Sequence, residues 1–149
     1  MTRIPTAPLL LGLAGLIPFL WGVATMYSPW VANLTQQTVG PRFLGPYVQI
    51  FYGTIILAFM SGVLWGLATK ASGSVAATGY ALSVLPARWA FFFVGGGPTS
   101  AAIFLAFGFI GLLGRDWTFW RFGLAPKWWM SLRILLTTGV VVTLLPVIL

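Results

Sequence analysis

Apolar residues fill five stretches of this chain almost without interruption, and polar residues are confined to the gaps between them. The stretches cover 8–27, 47–69, 76–94, 98–114 and 128–149. Each is near the ~20 residues that carry a helix across ~30 Å of hydrocarbon, and the fourth is the shortest. None alternates apolar with polar residues, so the strands of a membrane barrel are not indicated. Lipid offers backbone groups no hydrogen-bond partner, which requires closed helices. The pattern predicts an all-α membrane protein: one domain over 1–149, built as a bundle of five transmembrane helices.

The gaps carry their own signals. Pro5 and Pro8 are expected to precede the first helix and Pro46 to start the second, where a missing N–H is harmless. Ala71-Ser72-Gly73-Ser74 is a short polar turn that would fold the second and third helices into a hairpin. Gly95-Gly96-Gly97-Pro98 is a stop and restart between the third and fourth. The longer connections, 28–45 and 115–127, are rich in aromatics, glycine or proline and are expected to lie along the membrane interface. The first stretch is longer than the apolar core of a signal peptide, so it is expected to be a retained helix.

Composition agrees with a bilayer as solvent. The chain is 59% hydrophobic and 6% charged, against roughly 25% charged residues in soluble domains. Eight basic residues and one acidic residue give a net charge of +7. The basic residues are scattered singly beside apolar stretches, the pattern of membrane-flanking anchors and not of a nucleic-acid surface. With five spans, Arg3, Lys70, Arg115, Arg121 and Lys127 fall on the N-terminal side, and Arg133 reaches back towards it. The opposite side has Arg42, with Arg88 nearer to it. This asymmetry predicts a cytoplasmic N-terminus and a periplasmic C-terminus. Trp30, Tyr47, Trp117, Trp120, Trp128 and Trp129 stand at span ends, as interfacial aromatic belts do.

The same inventory excludes most chemistry. There is no histidine and no cysteine, so no ordinary haem, copper, zinc or iron–sulfur ligand set exists. One carboxylate cannot form the pair that general acid–base hydrolysis uses. Proton-coupled transport uses membrane-embedded acids or histidines, which the spans lack. No catalytic residue, cofactor or metal is expected, and the chain does not read as an enzyme.

A few polar positions retain leverage. Arg133 lies about five residues inside the fifth span, roughly 8 Å below its start. It either pairs there with Asp116, pinning the fourth helix to the fifth, or snorkels alone while Asp116 pairs with Arg115 or Arg121 in a wet loop. Arg88 follows Leu85-Pro86-Ala87 inside the third span. It is a candidate contact for a lipid headgroup or a partner, or it snorkels to the outer interface. Thr54, Ala58, Gly62 and Gly66 recur every fourth residue, a small-residue ridge where another helix can approach closely. The ridge is expected to pack a neighbour within the chain more often than a second copy, and Gly108, Gly111 and Gly114 offer a similar row.

Four blocks in order carry a family resemblance. They read IPTAPLLLGLAG over 4–15, YGTIILAFMSGVLWGLA over 52–68, YALSVLPARWAFF over 80–92 and PKWWMSLRILLT over 126–137. The order resembles the bacterial and mitochondrial family that contains transmembrane protein 69, and the fourth helix matches least. The resemblance implies a small multi-span membrane protein of unknown function. The family's tryptophan-glycine pair falls at Trp65 and Gly66, and its leucine-arginine at Leu132 and Arg133. Leu64 stands where members often have a polar residue such as histidine. Arg88 stands where a small or apolar residue is usual.

Three functions follow as expectations. The first is an accessory or assembly subunit of a larger inner-membrane complex, respiratory or photosynthetic. The second is a small transporter or lipid-binding protein with Arg88 and Arg133 as anion contacts. The third is a homo-oligomer built on the Gly62–Gly66 face. The expected partners are membrane lipids and other integral subunits, not nucleic acid. The expected location is the bacterial inner membrane, since no Arg/Ser-rich amphipathic presequence is read.

Overall fold

A computed structural model describes residues 3–149. Its helices are α1 (Thr6–Ala14), α2 (Ile17–Tyr27), α3 (Pro29–Thr38), α4 (Tyr47–Ala68), α5 (Gly73–Ser83), α6 (Leu85–Phe93), α7 (Pro98–Arg121) and α8 (Trp129–Ile148), with a 3-10 turn at Pro41–Phe43. Among the described residues, four segments are long and apolar enough to cross a membrane: Thr6–Tyr27, Tyr47–Ala68, Pro98–Arg121 and Trp129–Ile148.

The third expected span needs correction, because it is divided at Val84 into α5 and α6. Pro86 is the cause. It has no N–H to donate and its ring crowds the preceding turn, so the helix opens just before it. The opening leaves the backbone of Ala87 in need of a partner, and Ser61 of α4 provides one at 2.8 Å. The first span is interrupted the same way at Gly15–Leu16, with Pro18 as the second residue of α2. Pro8 falls within the first turn of α1 instead of preceding it.

The fourth span ends later than expected. α7 continues to Arg121, so residues 115–121 are helix and not loop. Leu105, Phe109, Leu112, Asp116 and Phe119 recur at steps of four and three, and all are buried. The core stripe therefore runs through the charged pair Arg115-Asp116. A glycine cap ends the helix. Gly123 sits at φ +74, and the N–H groups of Gly123 and Leu124 close onto Trp120 and Phe119. The connection 28–45 likewise contains a helix, α3, which Ser28 starts by accepting a bond from the Val31 N–H at 3.3 Å.

α4 and α7 form the centre, flanked by α2, α5, α6 and α8. Leu57 and Leu64 of α4 meet Leu105, Phe109 and Leu112 of α7 and Leu144 of α8 in one core. Phe19 of α2 enters edge-on between Tyr52 and Phe109. Large apolar side chains such as Phe91 (80% exposed) and Trp30 (72%) point outwards, the arrangement of a protein whose surface meets lipid.

Candidate functional site

A buried polar pair joins α7 to α8. Arg133 donates from Nε to Oδ2 of Asp116 at 2.8 Å. Trp129, one turn earlier on α8, donates its indole N–H to Oδ1 at 3.1 Å. Asp116 is fully buried and Arg133 is 6% exposed. Of the two arrangements the sequence leaves open, the geometry is the interhelical pair. Asp116 lies on the core stripe, and Arg115 and Arg121 flank that stripe. Two opposite charges enclosed together neutralise one another, which makes their burial tolerable in an apolar surround.

A second polar group closes the opposite end of the bundle. Gln49 is fully buried in the first turn of α4 and donates from Nε2 to the Thr143 carbonyl of α8 at 3.2 Å. Thr25 of α2 donates to the Gly22 carbonyl at 2.8 Å and accepts from the Gly45 N–H at 2.7 Å. Gly22 and Gly45 have no room for a side chain, because a Cβ on Gly22 would collide with Gln49 and one on Gly45 with the Gly22 carbonyl. Sequence reasoning missed this clasp. The available signal was an amide at the third position of an otherwise apolar helix.

Arg88 is exposed on α6. It lines a groove of about 410 Å³ between α6 and α7, together with Arg115, Trp89, Phe107 and Gly111. Trp89 fixes the groove's floor by donating to the Phe104 carbonyl at 2.7 Å. Gly108 permits that approach, since a Cβ there would lie 2.8 Å from Trp89 and 2.9 Å from Leu57. The one acidic side chain is held by Arg133, so no acidic side chain of the described residues balances Arg88 or Arg115.

The small-residue ridge requires a correction. Ala58, Gly62 and Gly66 face outwards and Thr54 is half-buried. A Cβ on Gly62 or Gly66 would meet nothing within 4 Å. The inward face of α4 carries Leu57, Ser61, Leu64 and Ala68 instead. Among the described residues nothing therefore packs onto Gly62 or Gly66. Gly111 and Gly114 are equally open, whereas Gly108 is packed. The glycines that do bring helices together stand elsewhere: Gly53 against Leu105, Gly79 against Ala68 and Gly139 against Leu16.

A further cavity of about 490 Å³ opens between the first two helices, α4, α7 and α8. Its wall is apolar except for Tyr52, Arg133 and Thr137.

Comparison with known proteins places the chain. The family model described as "Protein of unknown function (DUF3429)" matches residues 4–149. Transmembrane protein 69 of Xenopus tropicalis is 32% identical over 149 residues, covering 94% of this chain and 53% of the relative. The chain thus spans about half the length of that curated relative. No solved structure matches it. A multi-pass helical protein whose matched region runs from the start of the first helix to the end of the last, it belongs to the DUF3429 family of unknown function that includes transmembrane protein 69.

Proposed function

We propose that this protein is a non-catalytic accessory or assembly subunit of a larger inner-membrane complex, respiratory or photosynthetic, in the bacterial cytoplasmic membrane. One observation carries the reading. Ala58, Gly62 and Gly66 are exposed, and no described residue comes within 4 Å of a Cβ on either glycine. In lipid there is no hydrophobic drive between helices, and a small-residue row is the surface on which backbones approach. A helix of another integral subunit fits it. The one acidic side chain is fixed in a structural pair with Arg133, which joins two helices of the bundle.

In this reading α5 and α6 together make a fifth crossing and the N-terminus faces the cytoplasm. Both helices pack along α4, with Gly79 of α5 against Ala68 and Ala87 of α6 against Ser61. The test is capture of the tagged protein from its native membrane in mild detergent, resolved on a native gel with mass spectrometry. Stoichiometric recovery of one larger complex, lost in Gly62→Leu, is the expected result. A solitary species at native expression, or a complex indifferent to Gly62→Leu, would overturn the reading. A complex containing only this chain would make it a homo-oligomer.

A second reading, lipid binding, is favoured by Arg88 and Arg115 lining one apolar groove. It expects Arg88→Ala to lose co-purifying anionic lipid while folding is kept.

A further inference from the structure

The cavity beside α8 has the polar parts of a built site. Thr137 is 5% exposed, and its Oγ1 is enclosed by the protein without a hydrogen-bond partner among the described residues. A threonine in a helix can turn its hydroxyl onto the preceding turn, as Thr138 does onto Ile134 at 2.8 Å. Thr137 does not. Arg133, one turn before it on the same face, meets Asp116 through Nε alone. No hydrogen bond from Nη1 or Nη2 to a described residue accompanies that contact. Arg133 and Thr137 both line the cavity, with Tyr52 of α4 as a third polar member.

The remaining wall is apolar and includes Leu16, Phe19 and Met60. The mouth is formed by Leu11, Ile55 and Phe59, which are 74%, 56% and 64% exposed. A guest therefore enters sideways from hydrocarbon. The volume, about 490 Å³, falls within the roughly 300–1,000 Å³ of small-molecule sites.

Charge decides the kind of head. Asp116 already balances Arg133, so an anionic guest would leave a net negative charge enclosed in an apolar site. A neutral acceptor satisfies the Nη donors without that cost, and the enclosed Thr137 hydroxyl joins them when the side chain turns about Cα–Cβ towards the guest. We propose that this cavity binds an apolar membrane molecule through a carbonyl oxygen, either the ring carbonyl of a quinone or the ester carbonyl of an acyl lipid. The head lies against Arg133 and Thr137, and the tail runs past Phe19 and Met60 towards the lipid. The site is separate from the Gly62 row and does not depend on it.

The test uses the full chain in detergent. Thermal melting is followed during titration with decylubiquinone and, separately, with a diacyl phosphatidylcholine. Two variants accompany it. Thr137→Val keeps the shape and removes the hydroxyl. Arg133→Lys keeps a cation for Asp116 and removes the Nη groups. A saturable rise in melting temperature with one probe is expected, and which probe saturates names the source. Loss of one hydrogen bond should weaken that binding by roughly fivefold in Thr137→Val. The unliganded variant should melt no lower than the parent, since a buried hydroxyl without a partner has been removed. Absence of saturation with both probes, or equal affinity in the parent and both variants, would overturn the proposal.

Discussion

The backbone N–H of Ala87 donates to Oγ of Ser61 at 2.8 Å, across from α6 to α4. The bond sits one residue after Pro86, where the helix has just restarted. A side chain of one helix thus satisfies a backbone group that a proline has disturbed in another. Ser61→Ala should cost about 1 kcal/mol, the loss of a partly buried hydrogen bond. Hydrogen exchange should rise over residues 84–90 and remain unchanged in α8. Uniform change across the chain would argue against a local role.

The Asp116–Arg133 pair yields a sharper expectation. Asp116→Ala should lower stability by about 3–5 kcal/mol, because it leaves Arg133 enclosed without a partner. Adding Arg133→Leu to that variant should recover much of the loss, since two apolar residues suit the site as well. Thermal melting of the two single variants and the double variant forms the cycle that checks this. Additive losses would show that the pair is not coupled.

Two glycines one turn apart on α7 should behave oppositely. A Cβ on Gly108 collides with Trp89 and Leu57, whereas one on Gly111 meets nothing within 4 Å. Gly108→Val should destabilise by about 1–3 kcal/mol through overpacking. Gly111→Val should leave the melting temperature of the isolated protein within error. Equal effects would mean that α6 and α7 are not in this contact.

The chain has no cysteine, so single cysteines can report topology. Cysteines replacing Arg42 and Gly95 should react with an impermeant maleimide added to intact cells. Cysteines replacing Lys70 and Lys127 should react only after permeabilisation. Gly95 decides whether α5 and α6 cross together. Labelling of Gly95 on the same side as Lys70 would reduce the crossings to four.

Much of the helical content was legible because apolar length alone marks a crossing. The boundaries of α4 and α8 fall close to those read from the sequence, where polar turns and tryptophans bracket them. The end of α7 was not legible from charge. Arg115 and Asp116 resemble a loop, yet Asp116 falls in step with Leu112 and Phe119, and that periodicity was the better guide. The break at Val84 was written in Pro86, but its repair depends on Ser61, which lies 26 positions away in the chain. The Gly62 row misled for a related reason. Small residues mark a surface fit for close packing, and the spacing does not say whether that surface turns inwards. The cavity at Thr137 was invisible, because an empty volume depends on how five helices fit and not on any one segment.

The burial of Asp116 also constrains how the protein is made. α7 leaves the ribosome before α8, so during synthesis the carboxylate exists for a time without Arg133. An acidic side chain in a lone inserted helix costs about 2.5–3.5 kcal/mol at the centre on translocon scales and less towards an end, where Asp116 lies. The short connection after Gly123 allows α8 to follow at once. Entry of the two helices as a hairpin would join their charges before either helix meets hydrocarbon alone. Lengthening that connection would delay the meeting and lower the insertion efficiency of α7, even though every contact of the finished fold would be unchanged.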